Sequence, residues 1–113
     1  MAYDEQLADR VREYLYEVGQ MEVEEKRMFG GLAFLVNEKM CMNVSGPRLM
    51  CRFDPEKLEE VAEVNGFQPM HMKGRVYKGY CYVAEEALRT KRDLAYWIDL
   101  CLDFNVKAKS SKK

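Results

Sequence analysis

The sequence predicts a single α+β domain, in which helices pack on an antiparallel sheet of about five strands. Three observations indicate this fold class. Apolar residues recur at helical spacing near both ends of the chain, alternating apolar runs separated by short turns fill its middle, and strands do not alternate strictly with helices. The predicted order of elements is α-β-β-β-α-β-β-α.

The length and composition support one autonomous domain. A chain of 113 residues, 48% hydrophobic and 33% charged, has the composition of a globular protein, and a globule of this size hides roughly 65% of its surface. We expect the domain to span residues 1–106 and a basic, disordered tail to span residues 107–113. The net charge of -1 gives no bulk attraction to nucleic acid or to an anionic membrane, so any such attraction must be local.

The chain shows no targeting segment and no apolar run long enough for a membrane span. We therefore expect a cytoplasmic protein without membrane association. Its four cysteines are widely spaced inside apolar segments and form no C-x-x-C pair, so we predict reduced core thiols, with no metal site and no cofactor.

The first helix is predicted from Tyr3 to about Glu25, because apolar residues recur there at steps of three and four. Gly19 interrupts this segment, and we expect it to mark a bend or an early end of the helix.

Three linked strands follow, over Arg27–Val36, Met40–Val44 and Arg48–Phe53. The apolar pattern sets the register of the last two, and the predicted pairs are Val44 with Leu49, Met42 with Cys51, and Met40 with Phe53. This register leaves Cys41 and Met50 on the outer face. Since both faces are then partly apolar, we expect the second face to meet a helix or another protein chain.

Gly30 and Gly31 form a costly pair inside an apolar run. No Gly-Lys-Ser/Thr follows them and no third spaced glycine is present, so the pair is not a phosphate-binding loop. We predict a β-bulge or a close contact between a helix and this strand.

The remaining elements have clear boundary signals. Asp54 before a proline predicts the start of a helix. Phe67–Met72 and Val76–Val83 predict a second hairpin, whose first strand is confined to an edge or a bulge by its proline. Thr90 predicts the N-cap of a last helix.

Candidate catalytic residues are sparse. His71 is the only histidine, which excludes most hydrolytic triads and multi-histidine metal sites, although a pair with a cysteine remains formally open. The paired carboxylates at Glu24-Glu25, Glu59-Glu60 and Glu85-Glu86 are interpreted as solvated charges on the exterior of a predicted helix or on the approach to one. We therefore expect no enzyme.

Two groups of residues suggest binding. Basic residues alternate with aromatic ones at Lys73, Arg75, Tyr77, Lys78, Tyr80 and Tyr82. Such a hairpin holds single-stranded nucleic acid in some proteins, or it is an exposed hairpin with its aromatic rings in the core. The strand methionines either form an adaptable binding surface or fill the core.

Several motifs resemble those of one family. They are Arg27-Met28-Phe29-Gly30-Gly31, Leu49-Met50-Cys51-Arg52-Phe53, Lys78-Gly79-Tyr80-Cys81-Tyr82-Val83 and Leu94-Ala95-Tyr96-Trp97-Ile98. From about Tyr3 to Asn105 the chain resembles the TfoX N-terminal domain family, typified by the TfoX/Sxy competence regulators of bacteria. The resemblance implies a cytoplasmic, non-catalytic, two-layer α+β domain similar to type III secretion chaperones, linked to competence gene regulation through protein partners and DNA. The helical C-terminal domain of full-length relatives is absent here, so we expect a stand-alone domain.

The leading hypothesis is a TfoX-like regulatory module that binds a protein, with a second copy of the chain as one candidate partner, through its sheet face or the Gly30-Gly31 edge. The candidate interaction residues are Arg27, Phe29, Gly30, Gly31, Arg52, Lys73, Arg75 and Lys78. The alternative is a nucleic-acid-binding module that uses the Lys73–Lys78 hairpin and the basic tail. An enzyme or small-ligand carrier has little support in the sequence.

Overall fold

The computed structural model describes residues 3–20, 22–28 and 30–107. Their helices are α1 (Glu5–Glu17), α2 (Leu58–Val61) and α3 (Lys91–Asn105). Their strands are β1 (Val23–Met28), β2 (Gly31–Val36), β3 (Lys39–Ser45), β4 (Arg48–Arg52), β5 (Phe67–Met72) and β6 (Arg75–Val83). Short 3₁₀ turns precede α2 and α3.

The strands form one antiparallel sheet in the order β1-β2-β3-β4-β6-β5. The predicted α+β class is confirmed, but the described sheet has six strands instead of about five. The additional strand is β1, whose residues were predicted to belong to the end of the first helix and the start of the first strand.

The first helix is shorter than predicted because its C-terminus is capped at Gly19. This glycine has a φ of +82°, and the amide of Gln20 donates to the carbonyl of Leu15 over 3.0 Å, which closes the last turn in a glycine-dependent cap. The prediction of an early end at Gly19 is confirmed. The helical prediction for residues 23–25 is wrong, because they pair with β2.

The helices cover one face of the sheet. The main hydrophobic core lies between the helices and the sheet. It buries Leu7, Val11 and Leu15 of α1, Trp97, Ile98 and Cys101 of α3, and Phe34, Met42, Val44, Leu49 and Cys51 of the sheet. The fold is therefore a two-layer arrangement.

The opposite face has its own small core, in which Ala33, Leu35, Met40 and Met50 are buried. Met28, Met70, Tyr80 and Tyr82 pack against it, and no residue from the described helices belongs to it. Of the two covers expected for this face, a helix is wrong for the described residues, and another protein chain stays a prediction. The prediction that strand methionines fill the core is confirmed for Met40, Met42 and Met50.

The β3–β4 register agrees with the predicted pairs of Val44 with Leu49 and Met42 with Cys51. The third predicted pair, Met40 with Phe53, does not form, because the amide of Phe53 donates to the carbonyl of Gly79 over 2.8 Å.

Cys41 lies at an irregularity in the pairing of β2 with β3. Phe34 pairs with Met42 and Leu35 with Met40, so Cys41 is one extra residue on β3. Such a bulge changes the alternation of side chains. Cys41 therefore joins the main core, and its predicted place on the outer face is wrong, whereas that of Met50 is confirmed.

The other boundary predictions are confirmed. The Asp54 side chain accepts from the amide of Glu56 over 3.0 Å, and the Thr90 hydroxyl accepts from the amide of Asp93 over 3.0 Å. The β5–β6 hairpin forms, with Pro69 on an edge strand beside a shift in register.

The C-terminal boundary is described only to Lys107, whose ammonium lies 2.7 Å from the carboxylate of Asp54. The predicted disordered tail falls on residues 108–113, outside the described residues, apart from this lysine. Among the described residues, none of the helices combines the length and the apolarity needed to cross a bilayer.

Candidate interaction surfaces

The structure separates the predicted interaction residues into two groups at opposite edges of the sheet. The first group surrounds the β1–β2 turn and contains Arg27, Gly30 and Gly31. The second surrounds the β5–β6 turn and contains Lys73, Arg75 and Lys78. Arg52 ends the inner strand β4, and Phe29 lies outside the described residues.

Strand β1 forms one edge of the sheet, and its four central residues, Glu24, Glu25, Lys26 and Arg27, are exposed. Its ends fix the direction of its side chains, because Val23 packs against the main core and Met28 against the small outer core. Since side chains alternate along a strand, residues 23, 25 and 27 belong to the helical face and residues 24, 26 and 28 to the outer face.

Gly30 lies in the turn between β1 and β2, and Gly31 is the first residue of β2, where it pairs with Met28. Gly30 has a φ of +72°, a conformation that glycine adopts without strain. A Cβ atom at Gly31 would overlap the carbonyl oxygen of Val44 and lie 2.6 Å from Oδ1 of Asn43. The predicted bulge or helix contact is therefore wrong, because Gly30 lies in a hairpin turn, Gly31 pairs regularly with Met28, and the close contact of Gly31 is with strand β3.

Asn43 is a buried polar residue at this corner that sequence analysis missed. Its side-chain nitrogen donates to the carbonyl of Met28 over 3.0 Å, and its Oδ1 has no hydrogen-bond partner among the described residues. The sequence signal that could have identified it is a polar side-chain amide inside the apolar run of β3. An unsatisfied buried acceptor costs about 1–3 kcal/mol. The hydrogen bond from Asn43 to Met28 therefore forms although burial of Oδ1 without a partner destabilises the fold.

A second link to the β1 edge comes from helix α1. The guanidinium of Arg12 binds Glu25 through two contacts of 2.6 and 2.8 Å and also contacts Asp9. The hydrogen bond from Arg12 lowers the pKa of the Glu25 carboxyl, against a smaller opposing effect of burial. Because the Arg12 side chain is 46% exposed, the interaction is worth only about 0.3–1 kcal/mol.

The position of Glu25 also corrects an interpretation of the acidic pairs. Glu24 and Glu25 lie on a strand, and the predicted helix exterior is wrong for them. Glu59 and Glu60 lie on the outside of α2, and Glu85 and Glu86 on the 3₁₀ turn before α3.

An arginine side chain and a tyrosine ring meet on the outer face of the sheet. The guanidinium of Arg48 lies 3.9 Å from the ring centroid of Tyr82, in cation–π geometry, and donates to the side chain of Gln68 over 2.9 Å. Arg52 is opposite Tyr80 in the β4–β6 register, but its guanidinium donates to the carbonyl of Met40 over 3.2 Å and lies 5.6 Å from the ring centroid of Phe104 on α3. The sequence analysis identified Arg52 but missed Arg48, whose ring partner lies on β6, far away in the sequence.

The β5–β6 hairpin presents three exposed cations, Lys73, Arg75 and Lys78. Beside them the rings of Tyr77 and Tyr80 stack with centroids 4.6 Å apart and planes 5° apart. Tyr80 packs on the outer core, and burial raises its pKa, whereas Tyr77 remains 43% exposed.

The four cysteines are buried and free, which confirms the prediction of core thiols. Cys51 is directly opposite Cys81 across β4 and β6, and the Cys101 thiol interacts with Cys41 and Cys51. Burial opposes ionisation of Cys101, but the two neighbouring thiols and the backbone of Arg52 donate to its sulfur, which lowers its pKa to about 5. The contact with Cys101 raises the pKa of Cys41, and burial raises that of Cys51.

The described residues provide no arrangement of three or more histidine, cysteine or acidic side chains that could hold a metal ion. His71 is exposed on edge strand β5, whereas the thiols are buried. The structure therefore does not bring the single imidazole together with a cysteine.

These features define a two-layer α+β domain with helices on one face of a six-stranded antiparallel sheet. The family model of the TfoX N-terminal domain matches residues 13–105, and the chain belongs to this family. The match includes the β1–β2 turn and the later motifs that carried the resemblance. The comparison with curated proteins and the comparison with solved structures each found no match.

Proposed function

We propose that this TfoX N-terminal domain is a non-catalytic, regulatory protein-interaction module, and that it binds its partner through the edge strand β1. One observation carries the proposal: β1 has six residues, its four central side chains are exposed, and in the described part of the chain no strand pairs with its outer side. An edge of this kind accepts an extended segment of a partner by β-augmentation, in which backbone hydrogen bonds supply affinity.

The β1 edge is held in place before any partner arrives. The β1–β2 pairing fixes it on one side, Asn43 binds its last carbonyl, and Arg12 binds its central carboxylate. An ordered strand loses little conformational entropy on binding, and this favours affinity.

The opposite edge is a poorer template. Strand β5 contains Pro69, which has no backbone N–H to donate. Its pairing with β6 also shifts between Pro69 and His71, which disturbs the regular row of donors and acceptors. We therefore assign partner binding to β1.

A photo-crosslinking amino acid placed at Lys26 tests this assignment in the source cells. We expect Lys26 to give discrete crosslinked products, because its side chain lies on the edge that the partner covers. Glu59, exposed on α2, is the matched control position and should give none. No product at Lys26, or equal yields at both positions, would contradict the proposal.

The regulatory role is proposed from family membership, with competence genes as its target in a bacterial cytoplasm. We expect deletion of the gene to lower both transformation frequency and competence-gene transcripts, and the wild-type gene to restore them. Unchanged transcripts in the deletion strain would contradict the regulatory role while leaving partner binding at β1 intact.

A second candidate function is nucleic-acid binding at the β5–β6 hairpin. The stack of Tyr77 on Tyr80 beside three exposed cations favours it, since single strands bind through charge and ring stacking. We expect affinity for a single-stranded oligonucleotide, measured by fluorescence anisotropy, to fall steeply with salt. Changing Lys73, Arg75 and Lys78 to Gln should abolish binding, whereas Arg89→Gln should not. No binding at low salt would exclude this candidate.

A further inference from the structure

We propose that the partner at the β1 edge is a second copy of this chain, paired antiparallel with a two-fold axis through Glu25. This inference rests on the proposed function and names its partner. Pairing of two β1 strands would join two sheets into one continuous sheet, with all helices on the same side.

Symmetry restricts how two β1 strands can pair. A two-fold axis between identical antiparallel strands is perpendicular to the sheet, so it keeps the helical faces of both copies on one side. Residues directly opposite each other must then belong to the same face. Val23, Glu25 and Arg27 can therefore oppose only one another, and Glu24, Lys26 and Met28 form the other set.

The axis through Glu25 satisfies the charges of the outer face. In this register Glu24 opposes Lys26 of the second copy, and Lys26 opposes Glu24, so two cross-strand ion pairs form. The Lys26 ammonium and the Glu24 carboxylate already lie 3.7 Å apart within one chain, and pairing would add a neighbour of opposite charge to each of them. Opposite charges at directly opposed positions stabilise antiparallel pairs.

The helical face is also compatible with this register. Val23 opposes Arg27 of the second copy, and the aliphatic part of the Arg27 side chain can cover Val23. The two Glu25 carboxylates meet at the axis, but each is bound by Arg12 of its own chain through two contacts. The centre of the interface would therefore contain two Arg12–Glu25 ion pairs, one from each copy.

The neighbouring registers are less favourable. An axis through Lys26 would place Glu25 opposite Arg27 twice, but it would also oppose two ammonium groups. The contact of Lys26 with Glu24 is long, at 3.7 Å, whereas Arg12 binds Glu25 over 2.6 and 2.8 Å, so opposed Glu25 side chains are better compensated than opposed Lys26 side chains. An axis through Glu24 would oppose two carboxylates at its centre and place the apolar Val23 opposite the charged Glu25. Charged edge strands normally prevent association, whereas in the Glu25-centred register Glu24 and Lys26 each oppose a charge of the other sign.

Sedimentation equilibrium of purified protein tests the proposal through charge exchange. We expect the wild-type chain to dimerise reversibly. Lys26→Glu places carboxylates opposite each other twice and should weaken the dimer at least about tenfold. The double variant Glu24→Lys/Lys26→Glu restores both pairs in exchanged positions and should recover the wild-type constant within about threefold. Lys73→Glu, a charge reversal at the other edge, should have no effect.

Each outcome decides a specific point. A wild-type monomer at all concentrations would overturn this inference, while crosslinking of Lys26 to a different protein would leave the β1 proposal standing. A dimer that is indifferent to Lys26→Glu would place the contact elsewhere and overturn it. A double variant that is folded by circular dichroism yet stays monomeric would overturn the Glu25-centred register.

Discussion

The side-chain nitrogen of Asn43 lies 3.0 Å from the carbonyl oxygen of Met28, so strand β3 is bonded to the last residue of β1. The two residues reach each other across Gly31, the first residue of β2. Any side chain at Gly31 would occupy the space of the Asn43 amide and the Val44 carbonyl. The glycine pair thus shapes the edge strand on which the proposed interaction depends.

Gly31→Ala should therefore destabilise the protein by more than Gly30→Ala. The Cβ at position 31 meets backbone atoms that cannot move freely, and such overpacking costs typically about 1–3 kcal/mol. At position 30 the added Cβ has no atom within 4 Å, so only the positive φ is penalised, by about 1–2 kcal/mol. Urea unfolding of both variants checks this order, and equal midpoints would contradict it.

Asn43→Asp should make stability increase as the pH falls. At neutral pH the new carboxylate would be buried against the Met28 carbonyl without a donor, at a cost of at least about 2 kcal/mol. Burial raises the folded-state pKa of such a group, so its neutral form is retained below the unfolded value of about 3.9 and stability is lost as the pH rises. Urea unfolding at pH 4 and pH 7 measures the change, and a variant equally stable at both values would contradict the burial argument.

Arg12→Gln should remove a pH-dependent contribution to stability. The hydrogen bond from Arg12 lowers the pKa of Glu25, so this pair stabilises the fold above the unfolded pKa of about 4.3 and is lost as the pH falls through the folded value. We expect a deficit of about 0.3–1 kcal/mol at pH 7 that disappears near pH 2.5. Arg10→Gln is the control, because Arg10 contacts the carbonyls of Arg89 and Thr90. A deficit for Arg12→Gln that persists at acid pH would refute this interpretation.

The buried thiols should be inert in the native protein. The Cys101 pKa is lowered to about 5, which favours the reactive thiolate, but all four sulfurs are buried and a reagent can reach them only when the fold opens. With an excess of an aromatic disulfide reagent we expect no rapid reaction, and four equivalents in guanidinium chloride. A native thiol that reacts within seconds would show that accessibility is not limiting.

Local signals were enough to predict most of the elements. The caps at Asp54 and Thr90 and the glycine at position 19 depend on side-chain and backbone chemistry within a few residues, which a sequence displays directly. The α+β class followed from the order of such elements. The β1 strand was missed because its charged residues continue the acidic face of α1, and only pairing with β2 makes them a strand.

The interaction surface was harder to predict because its parts are distant in the sequence. Gly30 and Gly31 were identified, but their neighbour Asn43 lies on β3. The bulge at Cys41 placed this residue on the face opposite the predicted one, an effect that alternation alone does not contain. Residues Lys73 to Lys78 were grouped with Arg27 in the prediction, yet the strand order places them at the opposite edge.

Hydrogen exchange of the β1 amides, followed by NMR over a range of protein concentrations, tests the use of this edge most directly. The amides of β1 that point away from β2 should exchange rapidly in dilute protein and become protected as the concentration rises, while the edge amides of β5 should not change. Rapid exchange of the outward β1 amides at every concentration, in a sample shown to be dimeric, would contradict the account.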